Sequence, residues 1–306
     1  MLVLTDSVVF VADDTSEVIQ HEEIVQGAEI RCGCAEGDLA AVAFGNGSIA
    51  LITDGRVEHL QTGISERIEC LDILADRPLE LLIGTEPAHL YRLGAGGAEP
   101  LEAFDGLDCQ SSWYTPWGGP PTVRSLANSG DCLYADIHVG SIMRSMDRGN
   151  SWEPVTSELD DDVHQVATCA AAPASVYANT ADAVFVSEDR GQTWDRRAAG
   201  LPTPYGRAIA VHPTDPDCIL ASVSEGPHSD VKGQLYRSDD TGRKWTHVID
   251  GFPSELKENL DTFQLGFSAN GRAWAAIDNL LYVSDDRGGK WMVAWEAPTQ
   301  ISSIAC

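Results

Sequence analysis

Short apolar runs bounded by Gly, Pro and Asp recur along the chain, and no stretch keeps the 3.6-residue period of a helix. Val8-Val9-Phe10-Val11 is followed by Asp13-Asp14 and then Glu17-Val18-Ile19. Ile49 to Ile52 lead into Thr53-Asp54-Gly55-Arg56 and then Val57 to Leu60, a hairpin pattern with an Asp-Gly turn. Leu90 to Leu93 enter a Gly-rich stretch that ends at Pro100. This pattern predicts an all-β protein, nearly free of helix. No run approaches the roughly 20 continuous apolar residues that cross a bilayer as a helix.

Four segments repeat the order Ser-x-Asp-x-Gly-x-x-Trp. Their fixed residues are Ser145, Asp147, Gly149 and Trp152; Ser187, Asp189, Gly191 and Trp194; Ser238, Asp240, Gly242 and Trp245; and Ser284, Asp286, Gly288 and Trp291. The tryptophans lie 42, 51 and 46 residues apart. An apolar strand enters each segment, as in Val184-Phe185-Val186 and Leu281-Tyr282-Val283. The Asp can accept from backbone N–H groups of its own turn. The Gly supplies a positive φ, and the Trp opens the next strand and buries a large ring. These residues read as turn staples rather than as catalytic carboxylates.

This segment resembles the Asp-box (BNR) repeat of sialidases, sortilin-type receptors, xyloglucanases and photosystem II assembly-factor propellers. The resemblance implies a β-propeller with each box in the turn between the third and fourth strands of a blade. Counting the remaining hairpins at the same period gives a single seven-bladed β-propeller of four-stranded antiparallel blades. First strands are expected near Ile30, Ile68, Val123, Val166, Ala208, Phe263 and Ile301. Blades are expected at about 29–61, 67–104, 122–156, 164–198, 206–250 and 262–296. Residues 1–22 lack a first strand and residues 300–306 lack the rest of a blade, so the two ends are expected to share one and close the ring. The whole chain, 1–306, is then one domain.

Composition sharpens the choice of partner. Lys+Arg is 20 and Asp+Glu 47, a net charge of −27. Nucleic acid and anionic membranes both require cations, so neither is an expected partner. The first Lys or Arg is Arg31, with no basic leader before an apolar run, and the expected location is cytoplasmic. The eight cysteines do not have disulfide-framework spacing, and Cys32-x-Cys34 has no second pair at zinc spacing; they are expected to be reduced thiols.

In such propellers ligands sit opposite the boxes, where the loops entering first strands and joining second to third strands converge. Aligning the first strands gives the column Arg31, Glu69, Arg124, Ala167, Arg207, Leu265 and Ser302. Its three arginines either form an anion cluster or pair locally with carboxylates such as Glu69. Trp113 and Trp117, in the long loop Phe104 to Pro121, either face a sugar or planar ligand or plug the mouth. Asp136, His138, Asp162 and His164 are candidates for ligand contact or acid–base work. Of these His138, His164 and Asp162 are also metal candidates, no other cofactor being expected. Asp261 and, in a second long loop read as a lid, His228 complete the set.

Trp117-Gly118-Gly119-Pro120-Pro121, Asp136-x-His138-Val139-Gly140 and Asp162-Val163-His164-Gln165 also resemble a group of bacterial BNR-repeat proteins, which implies no particular reaction. The Arg-Ile-Pro string of sialidases is absent. The reading is a binding propeller for a small anionic ligand, a sugar or a protein. The alternatives are a sialidase-like glycoside hydrolase acting on an acidic sugar and an assembly factor resembling the photosystem II propellers.

Overall fold

The computed structural model describes residues 1–12, 21–26, 29–155, 158–228 and 230–306. It is a seven-bladed β-propeller: seven sheets, each of four antiparallel strands. One blade combines the C-terminal strand Ile301–Ala305 with Leu2–Thr5, Val8–Ala12 and His21–Gln26, in that order, so the two ends share a blade as expected. The turn at Asp13-Asp14 and the strand read at Glu17 to Ile19 lie outside the described residues. The other six blades run in chain order, with first strands Ile30–Glu36, Arg67–Ala75, Val123–Ser129, Val163–Thr168, Tyr205–His212 and Leu265–Phe267. Among the described residues helix is confined to Glu102–Asp105 and a 3-10 turn at Asp108–Ser112. None is long and apolar enough to cross a membrane.

The chain divides into two compact units. The first holds Met1–Pro154 with Ser302–Cys306, the second Val155–Ile301. In each, burial follows strand position. In the first unit Leu39–Phe44 is buried at every residue, because both its faces are covered by apolar side chains. The outer strand Arg56–Gln61 of the same blade exposes its charged residues. Ile49, Ile68, Leu81 and Ile83 pack between adjacent blades there. In the second unit Tyr177, Val184, Ile219, Val223 and Trp245 do the same.

All four boxes lie between a third and a fourth strand. Ser145, Ser187, Ser238 and Ser284 accept from the N–H of Gly149, Gly191, Gly242 and Gly288 at 2.7–2.8 Å. Each serine also donates to its aspartate at 2.8 Å. The aspartate accepts the next orphan N–H groups: Asp189 takes Gln192 and Thr193, and Asp286 takes Gly289 and Lys290. Burial opposes ionisation of Asp189, but the bonds from Thr193, Ser187 and Gln192 outweigh it and hold its carboxyl at about 2. The boxes need two left-handed residues rather than the one expected: Arg148, Arg190, Thr241 and Arg287, each just before the Gly, also have φ of 60–64°. Trp152, Trp194, Trp245 and Trp291 are buried.

Two blades without boxes turn differently. Asp54 and Gly55, with φ of 50° and 71°, make the two-residue turn read from the sequence. Gly94 pairs with Gly97 across another two-residue turn.

Candidate functional site

In an antiparallel blade the start of the first strand and the link from second to third strand lie at one end, and the Asp box at the other. The candidate residues fall at the first of these ends. Five first strands open with an irregularity there. Ile30 and Cys32 pair with the adjacent Phe44 and Ala43, leaving Arg31 as the extra residue of a β-bulge. The same skip leaves out Glu69, Arg124 and His164. In the fifth blade along the chain after the shared one, Gly206 pairs with Val223 and Ile209 with Ala221, so that Arg207 and Ala208 oppose Ser222 alone. A bulge bends its strand and re-aims the extra side chain. The bulges also explain why two first strands begin at Val163 and Tyr205, before the expected Val166 and Ala208: each strand continues through its bulge. They correct the aligned column as well, since the residue equivalent to Arg31 and Arg124 is His164 and not Ala167. The last of these strands begins later than expected, at Leu265, because Phe263 sits at φ 64° in the preceding turn.

In the first unit the bulge residues are tied to one another. Arg31 donates to Glu29 at 2.7 Å and to Glu69 at 2.6 Å. Arg67 joins Glu69 to Glu86, and Thr122 donates to Glu86 at 2.8 Å. Burial opposes the charge on Arg31, yet Glu69 and Glu29 more than restore it and its pKa is raised. The local pairing of Arg31 with Glu69 is therefore the arrangement present. Arg124 is half-buried. Asp136 is buried and accepts from Ser125 at 3.0 Å. Trp113 is buried against Phe104, which takes Trp152 edge-on, so this ring is core. Trp117 is instead 63% exposed, with its ring against that of His138 at 4.9 Å between centroids.

The second unit gathers a different set. His164 is buried, with Nε2 3.2 Å from Asp162 and Nδ1 bonded to the Gly206 carbonyl. Its ring lies 4.9 Å from that of Tyr205. Tyr205 in turn carries the Arg207 guanidinium at 5.3 Å from its centroid. Arg207 is 8% exposed. Among the described residues its one ion pair is at 3.5 Å to Asp261, a half-exposed carboxylate, and its buried Nε has no partner. Thr262 donates to the His164 carbonyl at 2.9 Å and brings the Asp261 loop to the same place. The loop that carries His228 is pinned by buried Val231, whose N–H bonds to the Lys257 carbonyl. His228 itself is exposed. Among the described residues no three His, Cys, Asp or Glu side chains gather as a metal-ligand set.

Residues that sequence reasoning passed over hold this bulge in place. Ser222 accepts the Ala208 N–H at 2.9 Å and donates to the Leu260 carbonyl at 2.7 Å. Asn179 donates to the carbonyls of Ala208 and Ser222, and Gln165 accepts the Ile209 N–H. Together they satisfy the backbone groups that the bulge removes from the ladder. A side chain at Gly206 would place its Cβ 1.7 Å from Asn179. A polar side chain on a second strand, facing a Gly-Arg opening of the next first strand, is the signal that would have found them.

The boxes and blades define the class: this is a BNR/Asp-box β-propeller. Residues 140–254 match the profile of sortilin, neurotensin receptor 3, and residues 281–293 that of the BNR-Asp box repeat. The chain's sequence matches none of the curated proteins with which it was compared. Among solved structures an ancestral GH74 enzyme is similar at 16% identity and a TM-score of 0.66, over 88% of this chain and 39% of the enzyme. The chain thus spans about two fifths of that protein's length. YCF48 from Cyanidioschyzon merolae is similar at 15% identity and a TM-score of 0.58, over 89% of this chain and 86% of that one. YCF48 bound to D1 peptide is similar at 17% identity and a TM-score of 0.53, over 76% and 68%. At these identities the likeness is one of fold.

Proposed function

We propose that the chain is a binding propeller for a protein or peptide partner, and that Arg207 receives an oxyanion of that partner. The observation that carries this is the state of Arg207. A guanidinium this buried is ordinarily paired on both edges. Among the described residues one edge meets a single distant carboxylate and the other, at Nε, has no protein acceptor. Tyr205 and the His164–Asp162 pair hold the group from behind. An incoming carboxylate would pair with the terminal guanidinium nitrogens, where Asp261 makes only a 3.5 Å contact. A protein partner is favoured because YCF48, similar over most of its own length, has been seen with a peptide bound. A hydrolase reading has only the fold of a much longer enzyme behind it.

The test is a calorimetric titration with short peptides that carry one Glu or Asp, and with the same peptides amidated at that side chain. The acidic peptides should bind and lose affinity by at least tenfold in Arg207→Gln, the charge-assisted pair being lost. Equal affinity of acidic and amidated peptides, or of wild type and Arg207→Gln, would refute the role of Arg207.

A further inference from the structure

The loop around Trp117 carries chemistry that the Arg207 site does not use. Six large apolar side chains are exposed among the described residues, and the two aromatic ones are Tyr114 at 56% and Trp117 at 63%. They are presented on one built loop. The Tyr114 N–H bonds to the Val139 carbonyl, and the His138 N–H to the Thr122 carbonyl. Within the loop the Gly118 N–H bonds to the Thr115 carbonyl at 3.0 Å, and the Thr115 hydroxyl to the Pro120 carbonyl at 2.9 Å. Gly118 and Gly119, at φ of 88° and 100°, turn the chain between these two bonds. His138 backs one side of the Trp117 ring. Rings held in this way are pre-ordered, so contact with a partner orders little that is not ordered already.

The charged residues just before them in the chain have one sign. Between Arg92 and Arg124 the sequence holds no Lys or Arg, while Glu99, Glu102, Asp105 and Asp108 precede the loop. Glu99, Glu102 and Asp108 are exposed. Asp105 is partly engaged by His89 at 2.9 Å. Exposed indole and phenol faces that follow a run of exposed carboxylates in the chain match a cationic side chain: the rings attract it through their quadrupoles and the carboxylates supply the counter-charge. The same charge, with −27 on the whole chain, opposes a second copy at this place.

We propose that Tyr114 and Trp117, with the acidic segment Glu99 to Asp108, form a docking surface for an arginine- or lysine-bearing segment of a partner protein. This goes beyond the Arg207 reading and stands without it. The test uses the full chain at 150 mM salt and a decapeptide with two arginines, against the same peptide with citrulline at both positions. Binding is followed by tryptophan fluorescence and calorimetry in wild type, Trp117→Ala, Tyr114→Ala and the paired variant Glu102→Gln/Asp108→Asn. Asp195→Asn, an exposed acid of the other unit, serves as the control. The arginine peptide should bind, the citrulline peptide at least about fivefold more weakly, and Trp117→Ala should lose about five- to tenfold. Asp195→Asn should bind as wild type does, and all variants should melt as wild type does because both rings are exposed. Equal loss in Asp195→Asn and Trp117→Ala would mean diffuse attraction to net charge and overturn the proposal. So would unchanged affinity in Trp117→Ala and Tyr114→Ala, no binding of the arginine peptide, preference for a neutral oligosaccharide, or self-association through this loop in sedimentation. Arg207→Gln is expected to bind the arginine peptide normally, which separates failure here from failure of the Arg207 reading.

Discussion

The two ends of a blade solve their backbone problem in opposite ways. At the box end the serine and the aspartate close the turn on itself: Ser284 and Asp286 take the N–H groups of Gly288, Gly289 and Lys290 within a few residues. Neighbouring segments meet other groups, as where the Arg237 guanidinium donates to the Asp286 carbonyl. At the bulge end the ladder is interrupted, and side chains of other strands repair it. Ser222, Asn179 and Gln165 satisfy the groups around Arg207, and Arg207 itself is left incompletely paired. The staple residues of such a turn spend their hydrogen bonds on the turn itself. A bulge whose backbone is satisfied from outside frees its extra side chain for a ligand. The difference puts turn-stapling residues at one end of the sheet and, on the proposed function, recognition at the other.

That contrast can be broken most sharply at the box tryptophans. Trp245→Ala empties a buried ring site, in which the indole N–H also donates to the Arg197 carbonyl at 3.0 Å, and should lose about 3–5 kcal/mol in denaturant unfolding. A loss below about 1 kcal/mol would mean that the ring does not staple the blade. Gly206→Ala comes next. Its methyl group meets Asn179, and repacking should remove about 1–3 kcal/mol and disturb the acid-peptide affinity at the same time. A stable variant with unchanged affinity would dissociate the bulge from the site.

Acid titration probes the boxes more gently. The Asp189 carboxyl is held at about 2, below the ordinary value of 3.8, because it accepts hydrogen bonds in the folded chain. Its contribution is therefore complete above about pH 4 and is lost as pH falls toward 2. Asp147, Asp240 and Asp286 are shifted in the same direction. Asp189→Asn should be less stable than wild type at neutral pH and should flatten the fall in stability between pH 4 and 2. A curve parallel to wild type over that range would show that the carboxylate is not ionised for the sake of the turn.

The box end was legible because its chemistry is local. Ser, Asp, Gly and Trp act within eight positions, so their spacing is the structure, and four copies set the blade period. The shared blade was legible from the same count. The bulges were not, since an extra residue in a strand is visible only against its partner strand. That is why His164 was missed in the column and Ala167 stood in its place. Arg31 is the exception: its partner Glu69, 38 positions away, was one of the two readings because both stand in the aligned column. Trp113 and Trp117, four positions apart in one loop, were read together, and tertiary packing on Phe104 sends one inside and leaves the other outside.

The most direct test of the division between the two ends is the unfolding free energy of Arg207→Gln beside that of Asp189→Ala. A buried, half-paired cation is retained at a cost to stability, whereas a box aspartate is retained for it. Arg207→Gln should unfold within about 0.5 kcal/mol of wild type or later, and Asp189→Ala earlier by on the order of 1 kcal/mol. A loss of more than about 1 kcal/mol in Arg207→Gln, with Asp189→Ala unchanged, would contradict the account.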